Sequence, residues 1–294
     1  MTVRCLGEAH GVGFAAYHGD CVDVMAHLPD GSVGFSVYSP PFSGLYLYSE
    51  SVADMANCAD DEEFMRHYAW AARELYRVTA PGRLAAVHCK DLVFYATQRG
   101  TSGLRDFPGM LVRAHQAAGW NFHSRVTIWR CPVREMTKTK AQGLLYKQLR
   151  KDSTFSRQGL AEYLLVFRKW AKEGEPERPV VHSFDDFPLE QWQDWASPVW
   201  HDTRETDVLE ARTARDERDE KHICPMPLDL IGRAITLWSN RGDTVLSPFM
   251  GIGSEGYEAL LLGRRFVGIE LKESYFREAA KTLQAIDSQQ RLFA

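Results

Sequence analysis

Ser39-Pro40-Pro41-Phe42 combines residue types that suit gripping a flat group that carries an NH2. Two consecutive prolines fix φ twice and remove two backbone donors. The backbone there is stiff, its carbonyls are free to point at a ligand, a hydroxyl precedes them and an aromatic ring follows. A strand ending in a proline turn with a core Phe accounts for the same four residues, so the tetrapeptide alone leaves both readings open. A second cluster shifts the balance. Thr244–Phe249 reads as a short strand, Gly251-Ile252-Gly253 as a turn, Ser254–Leu262 as a helix and Arg264–Glu270 as a second strand ending in a carboxylate. Strand, Gly-x-Gly turn, helix, strand and acid is the layout of a nucleoside-binding half of a Rossmann-like fold. The glycines allow close backbone approach, and the acid at the next strand's tip can accept from both ribose hydroxyls.

Positioning these groups requires a sheet. Apolar runs predict strands at Ala15–His18, Val33–Ser39, Leu84–Cys89, Ser124–Arg130, Glu162–Arg168, Thr244–Phe249 and Phe266–Glu270. Helical patterns separate most of them. The clearest is Asp61–Thr79, with Asp60 as N-cap, acids in the first turn, Phe64, Tyr68, Ala71 and Leu75 on one face, and Pro81-Gly82 as the stop. Leu104–Ala118, Pro227–Ser239 and Glu273–Ala285 are further candidates. The alternation implies a mostly parallel sheet with helices on both faces.

Ser-Pro-Pro-Phe and Ser-Pro-Phe-Met-Gly-Ile-Gly resemble the catalytic and cofactor motifs of the DNA amino-methyltransferases, which use S-adenosylmethionine. The catalytic motif comes first, similar to the permuted beta order of that family. Gly19-Asp20-Cys21 with Leu28-Pro29-Asp30 resembles the family's opening segment, and Glu220–Pro225 its cofactor-side segment before a helix. The surrounding sequence is most similar to prophage-type members. The resemblance implies a Rossmann-like α/β methyltransferase with seven strands, one of them antiparallel. It implies that Ser39, Pro40, Pro41 and Phe42 form the catalytic segment. Phe249, Gly251 and Gly253 would line the methionine and ribose region and Glu270 would bind the ribose. Asp20 would lie near the adenine or its neighbouring loop, with His222 and Pro225 near the methionine end.

The implied substrate is the exocyclic amino group of cytosine (N4) or adenine (N6). Its lone pair is delocalised into the ring, so the enzyme must localise it by hydrogen-bonding the NH2 protons, a task for the Ser39 side chain and the Pro40 carbonyl. Phe42 would stack on the base. A duplex base is out of reach of such a pocket, so base flipping follows, with the Ser43–Met55 loop and its Tyr46 and Tyr48 as a closing lid. Carbon-5 methylation needs a cysteine nucleophile, usually presented as Pro-Cys. Here the pairs run the other way, at Cys131-Pro132 and Cys224-Pro225. Ser at position 39 is more typical of cytosine enzymes in this family, yet hydroxyl and carboxamide can both accept from NH2, so the base stays open. Methylation of RNA or of a protein glutamine, a disabled DNA-binding protein of the same fold, and an NAD-dependent oxidoreductase are the alternatives. The last leaves Ser-Pro-Pro-Phe without a role.

The chain has 294 residues and 45% hydrophobic content, enough for one large domain over 1–294. Net charge is −4, which looks wrong for a DNA binder, but the distribution matters more than the sum. Eight Lys/Arg lie between Arg130 and Arg157 against Glu135 and Asp152. This marks 131–160 as a basic insert, with Arg134, Lys138, Lys140, Lys147, Arg150 and Lys151 as candidate phosphate contacts on double-stranded DNA. Its shortness suits a small or relaxed recognition sequence. A solvated surface loop is the bland account of the same charges. The 171–220 excursion is acidic, with Trp192, Trp195 and Trp200 as anchors onto the body. Six cysteines without a C-x-x-C pair fit reduced thiols and disfavour zinc. No run is long and apolar enough to predict a membrane span, and the N-terminus lacks the apolar stretch of a secretory signal, so the expected location is the cytoplasm. Gln289–Phe293 resembles the short peptide by which bacterial DNA enzymes dock on the sliding clamp; a tail packed on the domain is the other reading.

Overall fold

Side chains along the central strands point alternately to the two faces and are buried on both, because helices cover the sheet on either side. In β3 (Val33–Tyr38), Phe35 and Val37 pack to one side and Tyr38 to the other. In the strand Glu162–Arg168, Leu164 faces the first side while Leu165 and Phe167 face the second. The structure is a computed structural model, and it describes residues 5–41, 55–58, 60–95, 100–185, 187–210, 214 and 225–293.

The remaining strands are β1 (Gly7–His10), β2 (Phe14–His18), β4 (Thr79–Lys90), β5 (Leu92–Phe94), β6 (Gly103–Arg105), β7 (Asn121–Ile128), β8 (Glu162–Arg168), β9 (Val199–Trp200), β10 (Thr244–Ser247) and β11 (Arg265–Glu270). Eight of them join β3 in one nine-stranded sheet in the order β1-β2-β11-β10-β3-β4-β8-β7-β9. β2, β11, β10, β3 and β4 run parallel, and β8 runs antiparallel to both β4 and β7. These with β7 are the seven expected strands, one of them antiparallel. The expected count is corrected by two edge strands. Antiparallel β1 is only half-buried and polar, and β9 is two residues long, so neither carries an apolar run to read.

Helices α1 (Cys21–Met25), α2 (Asp61–Val78) and α3 (Phe107–Ala117) cover one face, while α7 (Leu228–Trp238), α8 (Ser254–Leu261) and α9 (Glu273–Phe293) cover the other. Asp60 caps α2 as expected, accepting from the Glu63 amide at 2.8 Å. The helix stops before Pro81-Gly82, because Thr79 already pairs with Val33 and the chain has become β4. The helix expected from Leu104 starts later. Leu104 lies in a small hairpin with β5, and Asp106 caps a helix that carries Pro108 in its first turn. α9 runs past Ala285 to Phe293, so residues 289–293 form its last turns rather than a tail beyond it.

The basic insert folds into α4 (Pro132–Thr139), α5 (Tyr146–Lys151) and short 3-10 turns. Glu135 holds it together, accepting from Arg157 at 2.8 Å and from the Leu160 amide at 2.6 Å. The excursion supplies α6 (Leu189–Trp195) and β9. Of its tryptophans, Trp200 is buried and Arg233 lies over the rings of both Trp195 and Trp200, whereas Trp192 is 51% exposed. No helix among the described residues is long and apolar enough to cross a membrane.

Candidate active site

β3 and β10 are parallel neighbours, with Phe35 opposite Val245 and Ser36 opposite Leu246. Ser39-Pro40-Pro41 and the Phe249–Gly253 turn therefore leave the same carboxyl edge side by side. The rings of Tyr38 and Phe249, one from each segment, stand 5.7 Å apart. From β10 the chain crosses to β11 on one side, and from β3 to β4 on the other. The two segments thus flank a topological switch point, where open α/β sheets bind ligands. Pro40 is buried, Ser39 and Pro41 are half-buried, and Phe42, Tyr46 and Tyr48 lie outside the described residues.

Gly251 (φ 52°) and Gly253 (φ 92°) both adopt the left-handed region that glycine tolerates. A Cβ on Gly253 would come within 3.2 Å of Ala279, so the turn can press onto α9 only without one. A Cβ on Gly251 would meet nothing within 4 Å, which leaves open space over that amide. The Glu270 carboxylate closes the turn. It accepts from the Gly251 amide at 2.9 Å and from the Lys272 amide at 2.8 Å. The Glu270 carbonyl accepts from Gly19 at 3.0 Å, which brings Asp20 alongside. Asp20 caps α1 through one oxygen, accepting from Val22 at 2.8 Å and Asp23 at 3.1 Å. Pro225 is half-buried at the entry to α7, and His222 lies outside the described residues. The Ser247 and Ser254 hydroxyls are buried at this edge with no hydrogen-bond partner among the described residues. Open backbone, a carboxylate at the next strand's tip and two orphan hydroxyls fit a nucleoside with a polar tail.

Glu255, in the first turn of α8, is 5% exposed, and its pKa is pushed up to about 8 by burial, with the charge of Glu270 adding to the effect. The folded protein thus keeps a proton that the unfolded chain releases above its ordinary value of 4.5. The unfolded state binds fewer protons across that window, so stability falls as pH rises from the unfolded pKa toward the folded one. Glu255→Gln removes this penalty. Denaturant unfolding of both proteins should show the variant gaining about 3 kcal/mol relative to wild type between pH 4.5 and pH 7. An offset independent of pH would refute the assignment.

On the other side, the Ser39 hydroxyl is 2.9 Å from Nδ1 of His88. Nε2 of His88 is 2.8 Å from Oε2 of Glu162, and Arg130 donates to that same oxygen. Burial opposes ionisation of Glu162, but His88 and Arg130 outweigh it and hold its carboxyl well below the usual carboxylate range. Sequence reasoning singled out neither His88 nor Glu162. They sit at the end of β4 and the start of β8, and only the antiparallel register, with Lys90 opposite Glu162, makes them neighbours. Behind the same strand, the Tyr38 hydroxyl meets that of Tyr68 at 2.9 Å and Nε2 of His115 at 3.3 Å. Burial lowers the pKa of His115 to about 4, so the ring is neutral at pH 7.

In the insert, Lys140, Lys147, Arg150 and Lys151 are exposed, and the side chain of Lys138 lies outside the described residues. Arg134 is also exposed but stands 3.5 Å from Glu205, so its charge is already partly matched.

A DNA methylase family model, N6_N4_Mtase, matches residues 35–281, from β3 into α9. The type II methyltransferase M.MthZI of Methanothermobacter thermautotrophicus is 26% identical over 269 residues, spanning 85% of this chain and 71% of that protein. M1.MboII of Moraxella bovis is 23% identical over 290 residues, spanning 91% and 95%. Two solved structures share the fold. The cytosine-N4-specific PvuII DNA methyltransferase superposes with a TM-score of 0.66 at 13% identity, over 97% of this chain and 96% of that one. The Thermus thermophilus protein TTHA0409, solved with S-adenosyl-L-methionine, does so with a TM-score of 0.66 at 20% identity, over 92% and 93%. With the family's match running through both edge segments, this chain belongs to the N6_N4_Mtase family of DNA methylases.

Proposed function

We propose that this protein transfers a methyl group from S-adenosyl-L-methionine to the exocyclic amino group of a flipped base, cytosine N4 or adenine N6, in double-stranded DNA. The observation that carries the reading is the adjacency of the Ser39-Pro40-Pro41 tip and the Gly251–Gly253 turn on one carboxyl edge. The cofactor supplies an electrophilic methyl on a sulfonium sulfur. Everything else falls to the chain. Glu270 accepts from the ribose hydroxyls while keeping its two amide bonds, because each carboxylate oxygen has more than one acceptor site. The Ser39 Oγ and the Pro40 carbonyl accept from the substrate NH2 and localise its lone pair, and the paired prolines keep that geometry fixed before the base arrives. Phe42 follows directly in sequence and is assigned to stacking. Flipping costs a few kcal/mol, offset by these pocket contacts.

The exposed Lys147, Arg150 and Lys151 of α5 are assigned to phosphate contact. Replacing all three by Ala should flatten the dependence of log affinity on log salt by roughly 0.9 for each phosphate no longer neutralised. Titrations of a labelled duplex at several salt concentrations measure this, and an unchanged slope would remove the insert from the interface. The function itself is tested with labelled cofactor on DNA and, in parallel, on RNA, followed by digestion to nucleosides. Labelled N4-methyldeoxycytidine or N6-methyldeoxyadenosine from DNA supports the proposal. Label in RNA alone refutes the DNA assignment, and label in neither refutes the transfer.

A further inference from the structure

The Ser39 hydroxyl is tied to a largely buried chain of three more residues, His88, Glu162 and Arg130. Glu162 is ionised, and a carboxylate can only accept, so Nε2 of His88 must donate to it. A neutral His88 with its proton on Nε2 has a bare Nδ1, which must accept from the Ser39 hydroxyl at 2.9 Å. In that neutral form of the ring the Ser39 proton goes to His88, and the Ser39 oxygen is left free to accept. A serine hydroxyl is by nature both donor and acceptor. Here the chain behind it makes it an acceptor, which is what a substrate NH2 requires.

We propose that His88, oriented by Glu162 and Arg130, sets the polarity of the Ser39 hydroxyl and takes up, through it, the proton that the amino nitrogen loses on methylation. The inference rests on the methyl-transfer reading above. The balance is simple. As the N–C bond forms, the C–S bond breaks and its electron pair stays on sulfur. One proton leaves the methylated nitrogen for Ser39 Oγ while the Ser39 proton moves to His88 Nδ1. The resulting imidazolium faces the Glu162 carboxylate at 2.8 Å, so the new charge forms beside its counter-ion. The geometry suits the task because His88 is 8% exposed and Glu162 is clamped by Arg130, which leaves little freedom for the ring to turn. Glu162 from β8 reaches His88 and is itself held by Arg130 just beyond β7, while Ser39, one residue past β3, contributes the neutral hydroxyl. His88 touches the reacting atoms only through Ser39, so it is a positioning residue and proton acceptor at one remove.

The test uses the full chain. Nitrogen-15 spectra of the His88 ring in wild type should show the proton on Nε2 and a bare Nδ1. A proton on Nδ1 would overturn the proposal without any variant having to fold. Single-turnover methylation of duplex DNA followed across a pH series should lose rate on the acid side, because an imidazolium has no bare nitrogen to accept the Ser39 proton. His88→Ala should be slower by about 100-fold and should lack that acid limb, with cofactor affinity within about twofold of wild type. Glu162→Gln should slow transfer in the same direction while keeping cofactor affinity. The double variant of Ser39→Ala and His88→Ala should be no slower than the slower single one, because both act through one oxygen. A His88→Ala protein with the wild-type pH profile would overturn the relay and leave the functional reading intact. Wild type that binds the cofactor but methylates no nucleic acid would overturn both.

Discussion

Ser39→Ala should lower methyl transfer to DNA by about 10³-fold while S-adenosyl-L-methionine binds with unchanged affinity. The size follows from what the hydroxyl is asked to do. The amino nitrogen is a weak nucleophile while its lone pair is shared with the ring, and it becomes a good one only as its protons are drawn toward fixed acceptors. An acceptor matters more as positive charge grows on nitrogen, so its loss raises the barrier more than it weakens substrate binding. The substitution should therefore fall on kcat, with KM for DNA little changed. Folding should tolerate it. Ser39 is half-buried past the end of β3, and the two peptide nitrogens that follow it belong to prolines and need no partner. The comparison that decides is cofactor titration beside single-turnover kinetics. Equal losses in both would mean that Ser39 supports the cofactor pocket rather than the chemistry.

The two halves of this site were readable for different reasons. Gly251, Gly253 and Glu270 belong to one continuous strand–turn–helix–strand unit, and local periodicity sufficed to order it. Ser39-Pro40-Pro41 was readable because proline chemistry is local too. That they meet depends on β3 pairing with β10 across most of the chain, and only the resemblance to a family predicted that pairing. His88 and Glu162 show what stays hidden. Each looked like an ordinary polar residue at a strand end, and no short window contains the antiparallel register that joins them. Glu255 is hidden in another way. A glutamate in the first turn of a helix reads as a favourable exposed cap, and only the packing of α8 against β11 and α9 makes it buried. Asp20 is the converse: a residue marked for the cofactor that already has work as a helix cap.

Glu270→Ala should weaken S-adenosyl-L-methionine binding by roughly 10³-fold, from the loss of two charge-assisted hydrogen bonds of about 2 kcal/mol each. Two routes lead to such a loss. The carboxylate contacts the ribose directly in the proposed role, but it also pins the Gly251 and Lys272 amides, so its removal loosens the turn. A cofactor analogue that lacks one ribose hydroxyl separates the routes. Wild type should bind the deoxy analogue about 10-fold or more below the parent, and Glu270→Ala should bind the two nearly alike, because the partner for that hydroxyl is already gone. If the variant still penalises the missing hydroxyl as strongly as wild type does, the carboxylate acts only by shaping the turn. The ribose contact would then have to come from elsewhere on this edge, where the orphan Ser247 and Ser254 hydroxyls are the groups at hand. Ser39 chemistry is untouched in either outcome. At saturating cofactor the Glu270→Ala protein should transfer methyl groups at close to the wild-type rate, which is the reverse of the Ser39→Ala phenotype.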